Sequence, residues 1–424
     1  MNILLLGGGG REHAFARSIA QSKLCSQLFI APGNPGTAQH GKNIAISATD
    51  FDAIKKCCIE NKIELVVVGP EDPLVNGIYD FFIADGELKN IPVIGPSKDA
   101  AQLEGSKAFA KEFMQRHSIP TAAYQSFDVN SLEQGVEFIR TLITRVVLKA
   151  DGLAAGKGVL ICQTLEEAEE QFKEMLRGKF GAASERVVVE EFLHGIEMSV
   201  FVLTDGTNYL LLPTAKDYKR VGEGDTGLNT GGMGAISPVP FADEVLMKKI
   251  CIRIIQPTID GLQQDKLVYK GFIYFGLMIV HGEPLMIEYN CRMGDPETEA
   301  VLPRIECDLV ELFMATANEK LIEKKIFISD KHAATVVLTS GGYPGLFEKG
   351  KKITAIESVE DSIVFQAGTK VNDGELQTAG GRVLAVTSLA TTLEEALKIS
   401  KTNADKIQFN NKYFRTDIGF DVLK

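Results

Sequence analysis

From Met1 to about Ala101, short apolar runs alternate with amphipathic segments. The runs Ile3 to Leu6, Leu28 to Ala31, Leu65 to Gly69 and Val93 to Gly95 read as strands, separated by amphipathic stretches at Glu12 to Ser22, Phe51 to Asn61 and Leu74 to Ala84. That alternation predicts a small parallel α/β sheet. Each apolar run ends in turn-forming residues: Gly7 to Gly10, Pro32 to Pro35, Gly69 to Pro73 and Gly95 to Ser97. These turns converge on the carboxyl edge of the sheet, where open α/β folds bind ligands.

Beyond Gln102 the pattern changes. A helix starts near Ser106 and stops before Pro120, a second covers Leu132 to Leu142, and a strand follows from Val146 to Lys149. Strands and helices then alternate in an α+β manner to about Phe327, and the remainder is strand-rich and ends with a helix from Leu393 to Asp405. The expected architecture is α/β and α+β multidomain. A parallel α/β domain covers 1–104, a larger region 105–327 contains a smaller subdomain at about 121–190, and a small strand-rich α+β domain covers 328–424. The sequence shows no repeat, low-complexity tract or flexible linker, so the domains are expected to pack tightly.

Composition narrows the choice of function. With 424 residues, 45% hydrophobic and 24% charged, the chain can build several cores. No apolar run approaches the roughly 20 residues that a membrane span needs. The first residues enter a strand without a basic leader, which makes a cytoplasmic location the expectation. Seven cysteines, an odd number without C-x-x-C pairs, indicate reduced thiols rather than a disulfide framework or a zinc site. A net charge of −11 argues against nucleic-acid binding, so anionic ligands must be held by local nests and a few cations.

Candidate chemistry begins at the first turn. Gly7-Gly8-Gly9-Gly10-Arg11-Glu12-His13 lies between a strand and a helix, where backbone N–H groups and the helix dipole can receive a phosphate. Four glycines can equally make only a tight turn; Arg11 favours the phosphate. The dinucleotide fingerprint fails, because Glu12 stands where its third glycine belongs and no acidic residue ends the second strand. Glu71, in Gly69-Pro70-Glu71-Asp72-Pro73, suits ribose hydroxyls or an amine, and suits the start of a helix equally well.

A second group of motifs lies further on. Lys149-Ala150-Asp151-Gly152-Leu153-Ala154-Ala155-Gly156-Lys157-Gly158-Val159 is not a Walker loop, since Gly158 and Val159 follow the lysine. It reads as a glycine-rich hairpin able to fold over a triphosphate, with Lys149 and Lys157 offsetting the charge; a plain hairpin is the alternative. Glu190, Leu193 and Glu197 have the spacing of an adenosine clamp, although acidic residues at strand ends are common on any surface. In Leu285 to Arg292, the residues Glu288, Asn290 and Arg292 alternate onto one strand face. The first two offer oxygen ligands for Mg²⁺ or Mn²⁺, and Arg292 suits a transferring phosphoryl group; a solvated face is the bland alternative. Asp295 follows at the start of a helix and could hold a substrate ammonium. The glycine-dense stretch Lys216 to Ala235 reads as an active-site loop.

Along nearly the whole chain these motifs resemble the phosphoribosylamine–glycine ligase family of ATP-grasp enzymes. The resemblance rests on Gly9-Gly10-Arg11-Glu12-His13, Gly69-Pro70-Glu71, the Lys149 to Val159 loop, Asn229 to Gly234, Asn290 to Glu297 and Gly380-Gly381-Arg382-Val383. It implies a pre-ATP-grasp N-terminal domain, with the 121–190 subdomain as a lid. Lys107 and Lys149, with Gly156, Lys157 and Gly158, would bind ATP phosphates; Glu190, Leu193 and Glu197 the adenosine; Glu288 and Asn290 the metal. Gly9, Gly10, Arg11, Asn34, Glu71, Asp217, Asn229 and Thr230 would hold 5-phosphoribosylamine and glycine, with Arg292 and Asp295 at the reacting groups. The implied reaction passes through glycyl phosphate. The implied assembly is a monomer or weak dimer in transient contact with the enzyme that makes phosphoribosylamine. Two departures stand out: Lys216-Asp217-Tyr218-Lys219 replaces the frequent Gln-Asp-His-Lys, and Phe272 to Val280 carries no second acidic metal ligand. A ligase for another acid or amine and a non-catalytic nucleotide binder are the competing readings.

Overall fold

The computed structural model describes residues 1–142, 145–153 and 158–423. The first hundred residues form β1 (Asn2–Gly7), α1 (Gly10–Ala20), β2 (Gln27–Pro32), β3 (Lys42–Asn43), α2 (Phe51–Glu60), β4 (Leu65–Val68), α3 (Glu71–Val75), α4 (Ile78–Ala84) and β5 (Val93–Pro96). The five strands are parallel in the order β3-β2-β1-β4-β5; four of them are expected from their alternation with helices, and the two-residue β3 adds an edge strand. Ile3, Leu4, Leu5 and Leu6 are all fully buried, because both faces of this sheet are covered. The stretch Leu74 to Ala84 is not one segment: Gly77, at φ 88°, separates α3 from α4.

Next come α5 (Gln102–Gly105) and α6 (Lys107–Arg116); the Ser106 hydroxyl caps α6 by accepting the Phe109 N–H at 3.1 Å. Then β6 (Tyr124–Asp128), α7 (Leu132–Thr141), β7 (Val146–Ala150), β8 (Val159–Cys162), α8 (Leu165–Leu176) and β9 (Arg186–Glu191) make a separate antiparallel sheet in the order β6-β9-β7-β8. It has its own core around Phe127, Ile139, Leu148, Phe172 and Val189.

Strands β10 (Ile196–Thr204) and β11 (Tyr209–Leu211) follow. The stretch expected to be a long loop is instead largely paired, as β12 (Lys216–Asp217), β13 (Arg220–Gly222), β14 (Thr226–Asn229) and β15 (Gly234–Ser237). Its glycines serve tight turns, with Gly224 and Gly227 at φ 64° and 78°. Helices α9 (Glu244–Ile250) and α10 (Gln256–Gln264) lead to the twelve-residue β16 (Tyr269–Val280) and to β17 (Glu283–Asn290). Because β16 is long, its start pairs with β5 and its remainder with β10 and β17. One nine-stranded sheet therefore runs from the N-terminal region into the centre of the molecule.

After α11 (Glu297–Val301) and α12 (Leu309–Ala317) come β18 (His332–Thr339), β19 (Ile363–Gln366), β20 (Thr369–Asn372), β21 (Glu375–Thr378), β22 (Arg382–Ala390) and α13 (Leu393–Lys406). The five-stranded sheet β12-β15-β18-β22-β19 takes its first two strands from the central region. The chain does not finish at α13: residues beyond it return to the β13–β14 hairpin. Arg415, fully buried, meets Asp417 at 2.8 Å and Asp225 at 2.6 Å and lies 5.5 Å from the Tyr218 ring. A lone polar side chain late in a sequence carries no pattern that announces such a contact. Among the described residues no helix is long and apolar enough to cross a membrane. Breaking a buried ion pair from one side leaves an uncompensated charge. Because Asp225 stays 41% exposed and Asp417 19% exposed, water would take up part of that charge, and Arg415→Met should lower the unfolding free energy by about 1–2 kcal/mol, read from urea unfolding of the whole chain.

Candidate functional site

The carboxyl edge of the parallel sheet, α6, β17 and the C-terminal region enclose a chamber of about 630 Å³. A second cleft of about 580 Å³ opens between β7–β9 and β10–β17. The two meet at Lys149, Glu190, Ile287 and Glu288, which line both. The cleft is walled by Val147, Val159, Ile161, Leu193, Met278 and Ile287, with Glu190 and Glu197 as acceptors and Lys216, Asp217 and Lys219 among its charged lining: an apolar-walled slot bordered by polar groups. The chamber is lined instead by Arg11, Lys107, Lys111, Arg292 and Arg382, interleaved with carboxylates.

At the junction, Glu190 is held between two ammonium groups. Lys149 Nζ lies 2.8 Å from one carboxylate oxygen and Lys111 Nζ 3.0 Å from the other. Burial alone would raise the Glu190 pKa, but Lys149 and Lys111 bring it below its ordinary value. Lys149 Nζ also donates to the Ile287 carbonyl at 3.2 Å. Lys111 was not singled out in the sequence. The available signal was its place on the buried face of α6, beside Ala108, Ala110, Phe113 and Met114, where a lysine needs a partner. Also in the cleft, Lys219 Nζ pairs with Glu197 at 2.9 Å and holds that carboxyl below its usual range. Gly156 and Lys157 lie outside the described residues; the Gly158 carbonyl accepts the Ala150 N–H at 2.8 Å and closes the β7–β8 hairpin.

Glu288 and Asn290 face the chamber, and among the described residues neither side chain has a hydrogen-bond or ion-pair partner. Gly276 stands opposite Glu288 on β16, so that strand brings no second carboxylate. Arg292 lies just past the end of β17 rather than in it, yet joins the same wall. Its guanidinium is fixed by Glu104 at 2.8 Å and Glu71 at 3.2 Å. Glu104 is a second residue the sequence did not reveal: buried on α5, it also accepts the Cys291 N–H at 2.7 Å. Glu71 opens α3, as the helix-start reading expects, and its carboxylate faces Arg292. Burial would raise its carboxyl, but Arg292 and then Arg11 pull it down to about 2.

The glycine loop departs from expectation. The Gly9 N–H donates to Glu12 Oε2 at 2.6 Å, and the other Glu12 oxygen accepts from Arg11 Nε at 2.6 Å. A side chain at Gly7 or Gly69 would collide with the Glu12 carboxylate. The loop thus caps α1 with its own anion, and its glycines make room for that carboxylate rather than for an incoming phosphate alone. Asn34 does not line the chamber; its amide donates to the carbonyls of Gly8 at 3.0 Å and Gln366 at 2.7 Å and braces the loop. Gly9 and Gly10 do not line the chamber either. Asp217, Asn229 and Thr230 line the cleft, whereas Arg11, Glu71, Arg292 and Asp295 line the chamber. Asp295 is engaged by Arg382 Nη2 at 3.0 Å, and Arg382 also donates to the Asp295 and Gly231 carbonyls at 2.8 and 2.5 Å. The C-terminal motif Gly380-Gly381-Arg382 therefore closes one side of the chamber, with Tyr343 accepting the Gly231 N–H at 3.0 Å.

An apolar slot that opens through a lysine–glutamate junction onto a cation-lined chamber, at the edge of a parallel sheet, is the arrangement of an ATP-grasp enzyme. Family models for phosphoribosylglycinamide synthetase match the chain as the N domain over 1–104, the ATP-grasp (A) domain over 105–298 and the C domain over 333–421. The chain belongs to the phosphoribosylglycinamide synthetase family. It is 48% identical over 428 residues to the phosphoribosylamine–glycine ligase of Pasteurella multocida, covering 100% of this chain and 98% of that one. The crystal structure of phosphoribosylamine–glycine ligase from Thermotoga maritima is similar with a TM-score of 0.86 at 35% identity, over 98% of this chain and 100% of that one. A biotin carboxylase from Campylobacter jejuni shares the fold alone, with a TM-score of 0.72 at 15% identity over 99% and 94% of the two chains.

The shared carboxylate of Glu71 gives a pH-dependent signature. Its folded pKa is depressed, so the stabilisation it contributes is complete above its ordinary value near 4.5 and is lost as pH falls towards about 2. The stability difference between the wild type and Glu71→Gln should be constant from neutral pH down to about 5 and shrink below that, as measured by denaturant unfolding at a series of pH values.

Proposed function

We propose that this chain joins glycine to 5-phosphoribosylamine at the expense of ATP, releasing glycinamide ribonucleotide, ADP and phosphate, as a cytoplasmic step of purine synthesis. The observation that carries the reading is the continuity of the cleft with the chamber through Lys149, Glu190 and Glu288, in a chain matched by this family along most of its length. The chain would work as three units, 1–104, 105–327 and 328–424, with the four-stranded sheet of 121–190 as the lid over the nucleotide.

Adenosine fits the cleft, with Glu190 towards the base, Leu193 against its face and Glu197 towards the ribose hydroxyls. The triphosphate then points into the chamber, towards Lys107 and Lys149. Glu288 and Asn290 suit a hard divalent cation, Mg²⁺ or Mn²⁺: both present oxygens, and neither is engaged elsewhere among the described residues. Among the described residues no group of three or more His, Cys, Asp or Glu side chains suits a metal, so Glu288 and Asn290 are the residues that would hold it. When bound, it supplies charge neutralisation at the phosphates.

A glycine carboxylate oxygen attacks the γ-phosphorus, and the bond to ADP breaks. The phosphoribosylamine nitrogen then attacks the carbonyl carbon of glycyl phosphate, losing a proton as phosphate departs with the bonding pair. Arg292, aimed by Glu104 and Glu71, faces the charge that develops on the transferring group. Arg11 and Glu71 bound the acceptor side, and Asp295, oriented by Arg382, suits an ammonium. Asp217, Asn229 and Thr230 contribute from the cleft side, while Gly9, Gly10 and Asn34 set the position of Arg11. Positioning and charge neutralisation carry the catalysis, with no covalent enzyme intermediate. The assembly we expect is a monomer or weak dimer, meeting the enzyme that makes phosphoribosylamine only transiently.

The test is ADP release by the purified chain with ATP, Mg²⁺ and glycine, with and without freshly generated phosphoribosylamine, with mass detection of the product. Release that requires both substrates and yields glycinamide ribonucleotide is the expected result. Turnover with a different acid or amine would overturn the substrate assignment and leave an ATP-grasp ligase.

A further inference from the structure

Lys111 has no role in the reaction described above, yet it is one of the largest fully buried side chains in the protein. Its ammonium sits 3.0 Å from Glu190 Oε2, donates to Thr121 Oγ1 at 2.6 Å and lies 5.3 Å from the centre of the Tyr124 ring. Thr121 in turn donates to the Met286 carbonyl at 2.6 Å, so the cage is built on the strand that carries Glu288 and Asn290.

The two lysines on Glu190 differ in what they can reach. Lys149 lines both the cleft and the chamber, whereas Lys111 lines the chamber wall only. An ammonium that turns to a triphosphate loosens its hold on Glu190. Were Lys149 the only partner, that movement would leave a buried carboxylate uncompensated, and nucleotide binding would oppose itself. We propose that Lys111 is a positioning residue for the nucleotide, keeping Glu190 paired and aimed at the base when Lys149 turns to the phosphates. The inference rests on the nucleotide assignment made above.

The charge of Lys111 adds a second signature. The groups around it are Glu190 and Glu191 on β9, Lys149 on β7 and Tyr124 on β6, with Lys107 on its own helix and Glu288 on β17 lining the same chamber. Burial brings the Lys111 pKa down to about 8, against the pull of Glu190. Its positive charge is therefore complete below that value and lost as pH rises through it. An arginine at this position stays charged throughout.

Steady-state kinetics of the whole chain with ATP, glycine and phosphoribosylamine test the inference. Lys111→Met should raise KM for ATP by about tenfold, the equivalent of 1.4 kcal/mol, and move KM for the other two substrates by less than about twofold. Lys111→Arg should restore the ATP value and abolish the wild-type rise in ATP KM between about pH 7.5 and 9. Thr121→Val, which removes only the hydroxyl anchor, should give a smaller rise confined to ATP and serves if Lys111→Met does not fold. An unchanged ATP KM in the variant that folds, three KM values rising together, or an alkaline rise that persists in Lys111→Arg would overturn the role. A wild-type chain without ATP turnover would sink the functional reading and this one with it. Turnover with another acid or amine would sink only the substrate assignment and leave the test of Lys111 intact.

Discussion

The backbone pairing of Tyr269 and Lys270 with Pro96 and Gly95 makes one sheet out of two. Gly271 permits it, since a side chain there would press on the Gly95 backbone nitrogen. Through this short antiparallel contact the carboxyl edge of the N-terminal sheet is fixed relative to β17. The distance between Arg11 or Glu71 on one side and Glu288 or Asn290 on the other is therefore set by hydrogen-bonded backbone, not by side-chain packing between loosely docked domains. Positioning a phosphoryl acceptor within reach of a nucleotide demands that kind of rigidity.

Within the frame, charge is balanced locally. The chain carries a net −11, yet it gathers Arg11, Lys107, Lys111, Lys149, Arg292 and Arg382 around one chamber. Carboxylates restrain nearly every one: Glu12 and Glu71 for Arg11, Glu190 for both Lys111 and Lys149, Glu71 and Glu104 for Arg292, and Asp295 for Arg382. Arg11, Lys111, Arg292 and Arg382 are thus held in place before any ligand arrives, which lowers the reorganisation needed when anionic groups enter.

Much of this was legible in the sequence, and the failures have physical causes. Period-two and helical patterns located the parallel sheet, the start of α6 near Ser106, α7 and β17, because these elements are defined by local burial. The glycine-dense stretch from Lys216 to Ala235 looked like a loop because its strands are short and interrupted by left-handed glycines, and β18, the second partner of β15, lies about a hundred residues away. Glu190, Glu288 and Arg292 announced themselves as polar residues in apolar surroundings. Glu104 and Lys111 did not, because each sits in a helix where acidic and basic residues are ordinary, and only the fold shows that the face they occupy is buried. Glu12 was read as the failure of a dinucleotide motif. Its carboxylate is the reason for that failure, since it occupies the space beside Gly7 and Gly69.

The segment after α13 bears on how the protein comes into being. Asp421 lines the cleft beside β7–β9, pairs with Lys216 at 3.0 Å and accepts the Tyr218 hydroxyl at 2.8 Å, while Arg415 anchors the neighbouring hairpin. These residues lie downstream of all the others around the cleft. A growing polypeptide that has already made Lys149, Glu190 and Glu288 still lacks one wall of the cleft until Asp421 has left the ribosome. A chain interrupted before this stretch would carry the upstream motifs with the cleft open on that side.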